Sequence, residues 1–466
     1  MARVMRGSFA RTIALLFLAP LALLVQQRPA KAVPSFAAQT GQPCTACHIG
    51  SFGPQLTPVG RAFKIGGYTQ TGGQGLAAQV PLSVMAFGSF THTNNSQPSP
   101  PATHYSDNNN LTLDQISVFL AGRASDWAGG FVQGTFSGIT RTTHLDNTDL
   151  RPFTTAIPVQ DTDLRVGVSV NNNPTVQDPY NSTFAWGYPF VASALAPTPA
   201  AQPALVSALA TNSIGVTAYG WYDRHLYIEA GGYETMGPTL LSVTGNALGA
   251  APFGATRNIA PYVRPAYEWD WNQQSAHVGG IFFNSNFNPA TGSRTSDGSM
   301  GHNMYTDFAG DAGYQFLGDG THVFTAEGIY TYEMQNLQGS FNSGASSQAN
   351  NNLQQVRVTL TYYYQQTYDL TFGWQDTWGK ANPLLFAPAP VTGSANGKPN
   401  SNSFVVEADW VPFGKADSAL APWANLKPGV QYVAYTRFNG GTTNYDGFGR
   451  NASGNNTLYA FAWLAF

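Results

Sequence analysis

From about residue 78 to the C-terminus, apolar side chains recur at every second position, the period of a strand whose two faces meet different media. Between Leu353 and Tyr362, Val356, Val358, Leu360 and Tyr362 share one face, and Gln355, Arg357, Thr359 and Thr361 the other. Tyr368, Leu370, Phe372 and Trp374 likewise oppose Asp369, Thr371, Gly373 and Gln375. Near residues 323–333, Phe324, Ala326, Gly328, Tyr330 and Tyr332 oppose Thr325, Glu327, Thr331 and Glu333. Around residues 262–271, Pro265, Tyr267, Trp269 and Trp271 oppose Arg264, Glu268 and Asp270. About sixteen such strands are legible, beginning near Ala78, Leu111, Gly129, His144, Asp161, Ser213, His225, Ala260, Ser275, Met304, Thr321, Leu353, Thr367, Ser403, Lys427 and Thr457.

Their connections mostly alternate in length. Short turns fall near Ser125–Asp126, Asp223–Arg224, Asn272–Gln274, Gly318–Gly320 and Gln365–Gln366. Long polar segments, Thr93–Asn110, Asn171–Asn212, Ser285–Gly301 and Asn439–Asn456, come between them. Phe413–Lys427 is long where a short turn is due. Alternation of this kind predicts an all-β fold: a transmembrane antiparallel β-barrel of about sixteen strands over residues 78–466. An even strand count places both barrel ends on the periplasmic side.

Composition agrees. Only 10% of the residues are charged, against roughly 25% in an ordinary soluble domain, while the chain holds 29 Phe, 22 Tyr and 10 Trp. Outer-membrane lipid is thus the expected partner of the apolar face, and a net charge of −3 suggests no nucleic-acid partner. Leu458, Ala460, Ala462, Leu464 and Phe466 alternate to a terminal aromatic, the kind of end that barrel insertion reads. At the other terminus, Arg3, Arg6 and Arg11 precede an apolar run from Thr12 to Val25, and Ala30-Lys31-Ala32 forms a small-residue cleavage site. Residues 1–32 therefore read as a secretory signal peptide, too short in its apolar part for the roughly 18 residues of a membrane span.

The two cysteines change the picture most. Cys44-Thr45-Ala46-Cys47-His48 is a C-x-x-C-H motif, the attachment site of a single covalent haem c. Each thiol adds across one haem vinyl group, and the adjacent histidine supplies the proximal iron ligand. A thioredoxin-like motif would need a βαβ context, and a zinc site more ligands nearby; the next histidine is His92. For the distal position the candidates are Met85, on the polar face of the first strand, His92, His104, His144, later Met or His residues, or no residue at all. Residues 33–77 are too few for an independent cytochrome core. Their one clear helical piece is Pro58–Ile65, with Thr57 as cap. A haem held by so short a segment needs walls from the barrel.

Motif and barrel together resemble the fused monohaem cytochrome c–porin family of outer-membrane iron oxidases. The resemblance is sharpest in Pro34-Ser35-Phe36-Ala37-Ala38-Gln39-Thr40-Gly41 before the motif and in Leu56-Thr57-Pro58-Val59-Gly60-Arg61-Ala62-Phe63-Lys64 after it. It extends to Gly67-Tyr68 and to Asn171-Asn172-Asn173-Pro174-Thr175-Val176-Gln177-Asp178. Ala38 stands where the family usually has Arg, and Val59 where it has Phe. The resemblance implies an electron-transfer protein: an extracellular donor, most simply Fe(II), reduces the haem, and a periplasmic cytochrome or other carrier collects the electron. A porin, or a conduit with another external redox partner, is the alternative. Arg264, Glu268, Asp270, Glu327, Glu333, Arg357 and Asp369 fall on expected inner faces, where a solvated lumen is their simplest role. Asp107, Asp178, Asp297 and Asp446 fall on expected outer loops, as candidate oxygen ligands for Fe(II) or as ordinary loop residues.

Overall fold

A computed structural model describes residues 34–74, 79–184, 187–248, 253–288, 300–420 and 424–466. The expected signal peptide at residues 1–32, the expected strand start at Ala78, and Asp297 lie outside the described residues. Seventeen strands form one sheet: β1 (Leu82–Thr93), β2 (Asn110–Ser125), β3 (Ala128–Ser137), β4 (Thr142–Val159), β5 (Thr162–Asn171), β6 (Ser213–Tyr222), β7 (Leu226–Thr235), β8 (Ala255–Thr256), β9 (Ala260–Trp271), β10 (Gln274–Asn288), β11 (Asn303–Phe316), β12 (His322–Asn336), β13 (Asn350–Tyr364), β14 (Tyr368–Gly379), β15 (Ser401–Trp410), β16 (Asn425–Arg437) and β17 (Thr457–Ala465). The two-residue β8 only extends the edge of β10, so the barrel wall has sixteen long strands. Each pairs antiparallel with its neighbours, and β1 pairs with both β2 and β17, which closes the barrel.

The period-two pattern resolves as expected into two media. Phe324, Tyr330, Leu360, Tyr362, Leu370, Phe372 and Val406 are exposed on the outside. Thr325, Thr331, Gln355, Arg357, Thr359, Thr361 and Thr371 are buried in the lumen. Such an apolar exterior on a closed sheet is stable only in lipid, where closure also leaves no unpaired strand edge. The chain is an outer-membrane barrel.

Short turns cluster at one end, with both barrel termini. Asn272 and Gln273 take φ values of 42° and 62°, and Gln365 and Gln366 both 51°. These are the left-handed pairs that let a tight hairpin follow the twist of its strands. The other long connections sit at the opposite end, together with the short link between β3 and β4, while the long connection between β15 and β16 stays on the short-turn side. Closure at the terminal seam includes Phe466, whose N–H donates to the Val84 carbonyl at 2.8 Å and whose carbonyl accepts from the Val84 N–H at 2.6 Å. Deleting Phe466 removes both bonds. We expect a lower yield of the heat-modifiable folded band on semi-native gels; an unchanged yield would dismiss the seam's role in assembly.

Two expectations about loops are corrected. The segment between β5 and β6 is not an external polar loop. It folds into the lumen, because Val176, Tyr180, Phe184, Leu195, Leu205 and Leu209 require burial and find it among inward side chains such as Tyr233, Tyr262 and Phe283. Asp178 is carried inward with it and is fully buried, so it is no surface ligand. Asp446 is also buried, accepting the backbone N–H groups of Val391, Phe448 and Arg450 in a structural role. Among the described members of that group only Asp107 is exposed.

Candidate functional site

Residues 34–74 enter the lumen from the short-turn end. Their path is a helix at Pro34–Thr40, a single turn at Cys44–Cys47, a 3-10 turn at Ile49–Ser51 and a helix at Pro58–Ile65. The second helix starts where the sequence dictates. Pro58 occupies its first turn, and the Thr57 hydroxyl accepts the Gly60 N–H at 3.2 Å while donating to the Ala46 carbonyl at 2.6 Å. Gly60 is required by contact: a Cβ there would lie 2.2 Å from the Cys47 carbonyl oxygen. The helix thus lies directly on the cysteine turn.

This plug is tied to the wall all round. Arg61 is buried and donates to Glu268, at 3.0 Å from Nε, and to Gln315, Ser275 and the Leu56 carbonyl. Lys64 Nζ donates to the carbonyls of Val176 at 2.7 Å and Asp178 at 2.8 Å, joining the plug to the inward loop. Tyr68 Oη donates to Asp149 at 2.7 Å, and Asp149 also pairs with Arg151. At the rim, the Gly50 N–H and Ser51 hydroxyl bond to Gln366 at 2.9 and 2.8 Å. Most of the expected lumen charges serve such anchoring rather than lining open water. Arg264 bridges Asp178 and Asp311, Arg357 donates to the Thr183 carbonyl of the inward loop, and Glu333 accepts the Ala204 N–H of the same loop. Asp270 stands exposed at the rim, 3.9 Å from Arg61.

Cys44, Cys47 and His48 line one cavity of about 270 Å³. Its other walls are largely apolar and include the rings of Phe36, Phe63 and Tyr68 from the plug and of Phe119, Phe131 and Trp463 from the barrel. Phe413, Ala424 and Asn425 close the rim, which accounts for the unusual length of the connection between β15 and β16. Both thiols are free, and removal from water raises each to a pKa of about 11. Neutral thiols in an apolar cleft do not favour thiolate metal ligation, but they leave both sulfurs available for covalent attachment. Enclosure lowers the His48 imidazole below 6.5, so it is neutral, as a metal ligand must be. Its Nδ1 lies 2.7 Å from the Gly53 carbonyl, the partner that fixes Nδ1 as the protonated nitrogen and leaves the Nε2 lone pair free. An apolar cleft with two thiols and an oriented neutral imidazole fits haem c. Among the described residues no three His, Cys, Asp or Glu side chains gather as a bare-ion site.

Met85 points inward from β1, is buried, and lies on the wall of the same cavity. The other distal candidates are elsewhere. His92 sits at the far end of β1, bonded to Asn109 at 2.8 Å; His104 is on an exposed loop; His144 is at the loop end of β4. Asn425 escaped sequence reasoning. Its amide donates to Cys44 Sγ at 3.8 Å and to the Ser51 carbonyl at 2.9 Å, pinning the cysteine turn to the start of β16. Only its place at the opening of a strand on the short-turn side could have signalled it.

No protein-family model and no curated protein matches this chain. Solved outer-membrane proteins are similar to it in structure. The channel DcaP of Acinetobacter baumannii has a TM-score of 0.45 at 12% identity, over 83% of this chain and 96% of that one. OmpF of Salmonella typhi, in a complex with daunomycin, has 0.44 at 11% identity, over 83% and 97%. OmpT of Vibrio cholerae has 0.42 at 11% identity, over 83% and 96%. By its own strand count, closure and apolar exterior, the chain is a sixteen-strand porin-like barrel of the outer membrane.

Proposed function

We propose that this protein is an outer-membrane c-type cytochrome that passes electrons from an extracellular donor, Fe(II), to a periplasmic carrier. The observation that carries the reading is the meeting of Cys44, Cys47 and His48 in one apolar-walled cavity at the short-turn mouth of a filled barrel. Haem c bound there supplies a one-electron Fe(III)/Fe(II) couple in a membrane that has no soluble carrier of its own. Cys44 and Cys47 would hold it by thioethers, His48 Nε2 would ligate its iron, and Met85, on the wall of the same cavity, is a further candidate ligand. Phe36, Phe63 and Trp463 exclude water. The Gly53 carbonyl keeps the imidazole oriented, and the helix packed on Cys47 at Gly60 holds the cysteine turn in place.

The test is direct. The purified, fully oxidised protein should show the reduced haem c spectrum on addition of Fe(II). Failure at every pH tried would remove iron as the donor while leaving the conduit intact. The competing reading is a porin for diffusing solutes, and the packing of the inward loop against Tyr233, Tyr262 and Phe283 speaks for the conduit instead. Proteoliposomes of the haem-loaded protein should therefore not swell in isotonic sugar. Swelling at the rate of an open porin would favour the diffusion channel.

A further inference from the structure

The mouth that holds the cysteine turn is ringed by aspartate. Asp126 lies between β2 and β3, Asp161 between β4 and β5, and Asp223 between β6 and β7. Asp270 is the last residue but one of β9, Asp319 lies between β11 and β12, and Asp417 between β15 and β16; all six are exposed. The cations of this rim are Arg123, tied to Asp126, together with Arg165, Arg224 and Lys415. Turn geometry does not account for the choice. Asparagine serves left-handed and capping positions as well as aspartate does, and the loops at the opposite end use it freely, at Asn94, Asn95, Asn108, Asn109, Asn439, Asn444 and Asn451. What aspartate adds at the mouth is charge.

A second observation lies inside the ring. A groove of about 700 Å³ runs between the helix Pro58–Ile65 and the wall, bordered by Gly66, Thr162, Arg165 and Trp221. Trp221 is only 6% exposed, and its indole N–H has no hydrogen-bond partner. Phe63 lines both this groove and the cavity of Cys44, Cys47 and His48, so the two spaces share its ring as a common wall.

We infer that this rim is the docking face for a soluble electron carrier that presents a cationic surface, seated over the groove beside Phe63. The inference rests on the proposed electron-transfer function. One electron leaves the reduced protein and reduces the carrier's oxidised metal centre; no bond is made or broken and no proton moves. The aspartate ring steers the encounter and sets its orientation, an effect that typically raises association rates by about 10- to 1000-fold at low salt.

The probe is a lysine-rich soluble cytochrome c, used native and with its lysines succinylated, against the full-length haem-loaded protein in nanodiscs. Reduced protein should transfer electrons to the native probe at a rate that falls about tenfold or more as salt screens the surface charges. It should react far more slowly with the succinylated probe. A variant combining Asp161→Asn, Asp223→Asn, Asp319→Asn and Asp417→Asn should lose about tenfold of the low-salt rate with its haem spectrum unchanged. Equal rates for the two probes, or an unaltered salt dependence in the variant, would overturn the docking face. Salt-sensitive co-elution of the native probe with a Cys44→Ser/Cys47→Ser variant separates the two proposals. Binding without haem would uphold the docking face were the cytochrome reading to fail, and no binding beside a normal haem spectrum in the unmodified protein would sink docking alone.

Discussion

A Cys44→Ser/Cys47→Ser variant is expected to insert as a barrel yet carry no covalent haem, giving no pyridine haemochrome signal after acid–acetone extraction. The effect is all or none, because serine cannot form the thioether to a haem vinyl group. The barrel is held by sixteen antiparallel pairings that do not involve the cysteine turn, so heat-modifiable folding should survive. His48→Ala separates attachment from ligation: covalent haem should remain, with a spectrum lacking the low-spin features that the imidazole confers. Covalent haem in the double-serine variant would refute the assignment outright. Met85 is tested in the same background. Met85→His should lower the midpoint potential, within the roughly 0.8 V that axial ligands span. An unmoved potential would exclude Met85 as a ligand, although it lies on the cavity wall.

The second large effect concerns the plug. Arg61 is 2% exposed and Glu268 1% exposed, so each would be a lone buried charge without the other. Breaking a buried pair by removing one partner typically costs about 3–5 kcal/mol, whereas replacing both with apolar groups of similar volume is often neutral. Arg61→Ala should therefore free residues 34–74 for limited proteolysis while the barrel stays folded, and haem retention in the cavity should fall with it. The paired replacement Arg61→Met/Glu268→Leu should restore protease resistance. If Arg61→Ala were as resistant as the unaltered protein, the remaining anchors, Lys64 on the inward loop and Tyr68 on Asp149, would suffice to hold the plug.

The alternation of apolar and polar residues was enough to locate the wall. Strand period is a local property: each side chain need only know which of two media it faces, so Tyr362 and Thr361 reveal their sides without reference to any distant contact. The Thr57–Pro58 start of the plug helix and the C-x-x-C-H motif are local in the same sense, since capping and thioether spacing are set within a few residues. The inward loop between β5 and β6 was not legible, because a long segment between strands carries no local mark of which way it turns. Its direction is decided by whether Phe184 and Leu205 find apolar partners in the lumen, and Tyr262 and Phe283 meet them only once the barrel has closed. The same closure converts Asp178 from an apparent loop ligand into a buried partner of Arg264. It also brings Met85 to one cavity with Asn425 and Trp463, which lie hundreds of residues further along the chain. By itself, then, the sequence determined the barrel, its two faces and the three residues of the motif. Only the tertiary structure decided which walls enclose them and which charges hold the plug, because those contacts arise between strands that no short-range pattern relates.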